Sequence, residues 1–300
     1  MKNFLRLSLL LPFIAFSEEP LYSSEISYGT NEKQKIDLYE GSSDKVLIWI
    51  HGGGWLFGDK RSERWIKRFQ NHFIDHEKLN VYMIGYRVGE DTAPNAVDDV
   101  ICAYKEIVDD ALTKNLSVND IVVSGASAGG HLALMVGLSN EYNLESSCNT
   151  SIKPKAVVNL FGITEIEKNS QFLDEEKFFS FSNYIKTWLP ESLDLKEASE
   201  KFSPINLISS NSPKILTIHG TKDAWVPYDQ AILLDKKLKD KHQLLTIENG
   251  GHYGFSDEED QIIRQNIAEF LRDTSVKLGK AFPGIDGDPN TAEICLLYTS

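Results

Sequence analysis

From residue 46 onward the chain repeats short runs that are apolar at consecutive positions: Val46 to His51, Val81 to Tyr86, Ile121 to Gly125, Ala156 to Leu160, Ile215 to His219 and Leu244 to Glu248. A strand covered on both faces reads this way, because neither row of its side chains meets water. Between these runs, Asp98 to Leu112, Gly129 to Leu138 and Tyr228 to Leu238 place apolar residues at helical spacing. The alternation predicts parallel strands joined by right-handed helical crossovers, an α/β fold whose mostly parallel central sheet has helices on both faces. Ile26 to Tyr28 and Lys35 to Tyr39, separated by Gly29 to Gln34, predict an antiparallel hairpin at the sheet edge. Gln261 to Arg272 predicts a last helix, with Ile263, Ile267, Phe270 and Leu271 on one face.

The rhythm breaks between Phe161 and Ser212. This stretch has no strand-like run, carries many charges, and gathers Phe172, Phe178, Phe179, Phe181, Tyr184 and Trp188. A connection this long is either a small inserted helical lid or a partly ordered excursion, unless its aromatics simply pack a crossover helix on the sheet. We expect the lid, at about residues 161–212.

The two ends read differently from the middle. Lys2 and Arg6 precede the apolar run Leu7 to Phe16, and Ala15-Phe16-Ser17 offers small residues where a signal peptidase cuts. Residues 1–17 are expected to be a secretory signal peptide, which would make the mature protein periplasmic or secreted. No later run reaches the length of a membrane-spanning helix, so no stable membrane anchor is expected. At the other end, residues 281–300 stay unassigned, and 295–300 resemble a translated sequencing adaptor. One α/β domain over 18–280 remains.

Composition narrows the partners. A formal net charge of −13 repels nucleic acid and anionic lipid, so neither is expected as a partner. The sequence does not define an oligomeric state. Of the three cysteines, Cys102 sits in a helical pattern and Cys148 in a polar loop. Export permits a bond between them, yet these placements favour unpaired thiols, and no metal-ligand spacing is present.

The chemistry gathers just past the strand runs. Gly125-Ala126-Ser127-Ala128-Gly129 joins a strand directly to a helix. A nucleophile elbow needs that sharp turn and small flanking residues. A serine hydroxyl also needs a base and an acid that orients it. His252, in Gly250-Gly251-His252-Tyr253-Gly254-Phe255, and Asp223, in His219-Gly220-Thr221-Lys222-Asp223, each follow a strand. The order Ser127, Asp223, His252 suits catalytic residues of this kind of sheet, with Asp229 and Glu248 as stand-ins for the acid. His51-Gly52-Gly53-Gly54-Trp55 follows an earlier strand, and its glycines let backbone N–H groups approach a ligand closely. Gly53, Gly54 and Ala128 are expected to donate to an oxyanion. His51 and His219 are expected to brace their loops, and His131 to pack inside the fold.

These segments together are similar to a known family. Lys35-Ile36-Asp37-Leu38-Tyr39, His51-Gly52-Gly53-Gly54-Trp55 with Gly58-Asp59-Lys60, Tyr86-Arg87 and Ser127-Ala128-Gly129-Gly130-His131-Leu132-Ala133 carry the likeness, continued by Ser203-Pro204-Ile205-Asn206 and by His219 to Asp223 with Val226-Pro227. The chain resembles the bacterial feruloyl-esterase-like branch of the α/β-hydrolases, close to the hormone-sensitive-lipase-like carboxylesterases. The resemblance runs over roughly residues 26 to 272 and implies an α/β-hydrolase fold with Ser127, Asp223 and His252 as a triad. It implies hydrolysis of small or polysaccharide-linked acetyl or feruloyl esters, with no cofactor and no metal. Trp55, Trp225 and Tyr253 either line the substrate pocket or pack the core and lid. The alternatives are an arylformamidase-type amide hydrolase and a non-catalytic carbohydrate- or protein-binding member of the fold.

Overall fold

A computed structural model describes residues 23–62, 72–139, 148, 150–175 and 183–273. The expected signal peptide and the unassigned tail lie outside the described residues. Eight strands form one sheet: β1 (Ser24–Ser27), β2 (Lys35–Tyr39), β3 (Val46–Ile50), β4 (Asn80–Ile84), β5 (Val122–Ala126), β6 (Ala156–Leu160), β7 (Lys214–Gly220) and β8 (His242–Ile247). Their order is β1-β2-β4-β3-β5-β6-β7-β8. The β1–β2 hairpin and the β2–β4 pair are antiparallel, and every later pair is parallel.

The consecutive apolar runs are explained by two cores, one on each face. Along β3, Val46, Ile48 and Ile50 enter one cluster, while Leu47 and Trp49 enter the other. The same alternation divides Tyr82 and Ile84 from Val81 and Met83 on β4. Successive strand residues point to opposite faces, so both rows are apolar only where helices cover both sides. The first face is covered by α1 (Asn95–Thr113), α2 (Ala128–Leu138) and α6 (Asp229–Leu238), and the second by α7 (Asp257–Asp273) through Ile263, Ile267, Phe270 and Leu271. Each large side chain so buried contributes roughly 1.5–3 kcal/mol.

Between β6 and β7 lie α3 (Ile166–Glu175), α4 (Tyr184–Trp188) and α5 (Leu195–Phe202). Ile166, Tyr184, Ile185, Trp188, Ala198 and Phe202 from this segment join the first core. Phe178, Phe179 and Phe181 of the expected aromatic lid lie outside the described residues.

One expectation is corrected. Cys102 and Cys148 are not free thiols: they form a disulfide, with Cα atoms 4.7 Å apart. Cys102 lies on α1, and the chain returns to that helix after traversing α2. Helical and loop contexts read separately cannot reveal such a return.

Candidate active site

Ser127 occupies the turn between β5 and α2 with φ 57° and ψ −123°. A side-chain-bearing residue rarely adopts that conformation, which thrusts Oγ out of the turn. The turn closes only because its neighbours are small. A Cβ on Gly129 would stand 2.1 Å from the Ile50 carbonyl oxygen. The Ser127 amide donates to Leu160 O at 2.9 Å, fixing the turn on β6.

Asp223 and His252 arrive on loops after β7 and β8. These loops are laced together: Lys222 N donates to Gly250 O at 2.9 Å and Thr221 N to Ile247 O at 3.1 Å. Asp223 Oδ1 accepts from the amides of Trp225 and Val226, both at 2.9 Å. Its Oδ2 lies 2.6 Å from His252 Nδ1, and His252 Nε2 lies 2.9 Å from Ser127 Oγ. With Nδ1–H donating to the carboxylate, Nε2 is left to accept from the serine hydroxyl. Burial opposes the charge on Asp223, but the facing His252 and the hydrogen bonds from His219 and His252 hold its carboxyl below the usual carboxylate range. His219 Nε2 lies 2.8 Å from Val226 O and 3.4 Å from Asp223 Oδ2, so it closes the acid loop. Neither stand-in is needed, since Asp223 itself reaches the imidazole.

The glycine loop after β3 stands beside the serine. A Cβ on Gly52 would lie 3.2 Å from Ser127 Cβ. Gly53 has φ +122°, and a Cβ there would meet Phe57 O at 2.0 Å, so no other residue fits. The Gly53 carbonyl accepts from Leu56 and Phe57 amides. Among the described residues, the amides of Gly53, Gly54 and Ala128 donate to no loop or side-chain acceptor. His51 Nδ1 lies 2.7 Å from Gly52 O, and its ring stacks on Tyr86 at 4.2 Å. Burial pushes that imidazole down to about 4, so it is neutral at pH 7. Tyr86 also donates its hydroxyl to His51 O at 2.9 Å. The far end of the loop is anchored by Lys60 and Arg61 on the wholly buried Asp37 carboxylate.

Sequence reasoning named Tyr86, Asp37 and Lys60 only as letters of a motif, without these bracing contacts. It also missed Phe161, whose φ is +42° and whose ring meets the His252 imidazole at 4.7 Å. No local pattern marks it, since it reads as the first residue of the long connection after β6. The three aromatics expected at a pocket divide. Trp55 does not line one: it has no exposed surface and stacks at 4.4 Å on Trp188, because its backbone φ of 60° turns the indole into the core. Trp225 is half-buried beside Asp223, and Tyr253 is exposed beside His252. Phe57, not singled out by its sequence, is more exposed still, with Cδ2 3.2 Å from where a Gly53 Cβ would lie.

A mostly parallel sheet covered on both faces, with Ser127, His252 and Asp223 hydrogen-bonded in series past its strand ends, has the architecture of the α/β-hydrolase class. Within it, the BD-FAE family model matches residues 36–238, and the chain belongs to that family. It is similar to the esterase LipC of Mycobacterium tuberculosis, 25% identical over 229 residues that take in 73% of this chain and 55% of LipC. The chain thus spans about half the length of that relative. The kynurenine formamidase of Scheffersomyces stipitis is 25% identical over 274 residues, 82% of this chain and 97% of the formamidase. Among solved structures, a truncated carbohydrate esterase from gut microbiota superposes with a TM-score of 0.66 at 21% identity, over 86% of this chain and 99% of that one. At that identity the superposition speaks for the fold.

Proposed function

We propose that this chain is an exported serine hydrolase that cleaves carboxylic esters, small or carried on polysaccharides as acetyl or feruloyl groups. The observation that carries this reading is the unbroken run of hydrogen bonds from Ser127 Oγ through His252 to Asp223, 2.9 Å and 2.6 Å long. Ser127 attacks the ester carbonyl while His252 Nε2 takes its proton, and Asp223 stabilises the imidazolium that results. The amides of Gly53, Gly54 and Ala128 receive the developing oxyanion, and the positive end of α2 adds to their field. His252 then protonates the leaving alkoxide. Water, deprotonated by the same imidazole, releases the acid and restores the serine. No step requires a metal or organic cofactor.

Export is supported by the N-terminal pattern and by the Cys102–Cys148 bond, since disulfides persist in oxidising compartments. A saccharide-linked ester is supported by exposed aromatic rings near the site, Phe57 on the glycine loop and Tyr253 beside His252. Flat exposed rings suit the apolar face of a sugar.

Formamide hydrolysis is a second reading, favoured by the formamidase's alignment over 97% of its length. It uses the same groups on an amide carbonyl. The experiment that tests the proposal is hydrolysis of a short-chain aryl acetate, beside N-formylaniline, by the parent and by Ser127→Ala. Ester turnover in the parent alone is expected. Faster turnover of the formanilide would favour the second reading.

A further inference from the structure

The segment between β6 and β7 reaches the site through one side chain. Tyr184, the first residue of α4, is buried between the two loops that the chemistry depends on. On one side its ring packs on the oxyanion loop: a Cβ on Gly54 would lie 3.3 Å from Tyr184 Cδ2 and 3.4 Å from Cγ. The ring also tilts against Trp55, with centroids 5.9 Å apart. On the other side its hydroxyl donates to Trp225 O at 3.2 Å and accepts from Asn169 Nδ2 at 2.8 Å. Asn169 Nδ2 reaches Trp225 O as well, at 3.3 Å. The amide of Trp225 in turn holds Asp223 Oδ1 at 2.9 Å. A single side chain therefore touches the backbone of an oxyanion donor and, one residue removed, the peptide that orients the acid.

The placement of Tyr184 is itself over-determined. Asn183 caps α4 by accepting from the Ile185 and Lys186 amides, and it donates to Ser170 O and Oγ on α3, both at 2.8 Å. The next loop is joined to the same helix, with Asp91 N donating to Thr187 O and Ala93 N to Trp188 O. Gly89 N donates to Trp55 O, so that loop grips the oxyanion loop too. Burial, and behind it the Asp223 charge, raises the Tyr184 phenol far above its ordinary value, which keeps it a neutral donor at every working pH.

We propose that Tyr184 is a positioning residue that couples the oxyanion loop to the acid loop. The α4 portion of the insertion is then a fixed brace of the active site and cannot swing away without loosening both halves of the machinery. This inference rests on the serine-esterase reading and deepens it.

The test uses the full chain and two variants, Tyr184→Phe and Tyr184→Leu, with aryl acetate as substrate. Active sites are counted first by a fluorophosphonate that labels the serine. Tyr184→Phe keeps the ring on Gly54 and removes the hydroxyl, so kcat per labelled site should fall about five- to tenfold, the worth of one buried hydrogen bond, with KM within about twofold. Tyr184→Leu should lose more, because both contacts go. A purely structural tyrosine would reduce the labelled fraction and leave kcat per site unchanged, which would overturn the proposal. An active parent beside an equally active Tyr184→Phe would overturn this inference alone. A parent that neither turns over nor takes the label would overturn the esterase reading and this one with it.

Discussion

At Ser127 the backbone holds a conformation that costs a non-glycine residue about 1–3 kcal/mol, and the same strain recurs at Trp55 and Phe161. These are the proposed nucleophile, the residue after Gly54, and the ring that meets the His252 imidazole. Positive φ is not confined to them, since Lys78, Asp91, Asn115, Lys239 and Asn249 share it. The exposed rings of Phe57 and Tyr253 belong to this scale. If they stack on sugar, Phe57→Ala should raise KM for an acetylated xylo-oligosaccharide by about two- to tenfold, the range of one aromatic contact, and raise that for an aryl acetate less. Equal effects on both substrates would remove the sugar from the argument. The proposed nucleophile, acid and base could be picked out because each follows a strand run and the elbow is framed by small residues, and the structure brings the three side chains into hydrogen-bond contact. Of the two roles left open for Trp55, the structure has core packing, on a positive φ that a sequence does not reveal. Tyr86, Phe161 and Tyr184 were not assigned roles because their partners lie 35, 91 and 130 positions away, at His51, His252 and Gly54.

At the scale of elements, consecutive apolar runs located the strands within a residue or two, since burial on both faces leaves so few polar positions. The helix starts were located less closely: Asp98 to Leu112 was expected where Asn95–Thr113 is observed, and Gln261 to Arg272 where Asp257–Asp273 is observed. Two features escaped. The short π-helical turn His72–His76 has no repeating pattern to betray it. The Cys102–Cys148 bond depends on how α1 and α2 stack, which is a tertiary fact. Closing 46 residues of chain, it should stabilise the fold by about 2–4 kcal/mol. Denaturant unfolding of the Cys148→Ser variant should shift by that amount. An unchanged midpoint would mean that the bond contributes nothing.

For the whole molecule, buried imidazoles set the response to acid. Burial lowers His51 and His131 each to about 4. Unfolded, both titrate near the ordinary value of about 6.5. Between those limits the unfolded chain binds protons that the native chain refuses, so stability must fall as pH drops through that window. Each histidine supplies up to about 1.4 kcal/mol per pH unit. Asp223, held below the usual carboxylate range, adds its own loss at still lower pH. Net charge works the other way: the chain carries −13 at pH 7 and approaches neutrality near pH 5.0, which relieves self-repulsion. Melting temperatures that fall steadily from pH 6.5 to 4.5 are expected. A rise over that interval would mean that relieved repulsion outweighs the buried histidines.

The central claim is that Ser127 is the nucleophile of an ester hydrolase. It is tested most directly by the rate of aryl acetate hydrolysis in the parent and in a Ser127→Ala variant with matching circular dichroism. The account predicts turnover in the parent and a loss of at least about a thousandfold in the variant, as expected when the attacking group itself is removed. A folded Ser127→Ala protein that hydrolyses the ester at a rate comparable to the parent would contradict it.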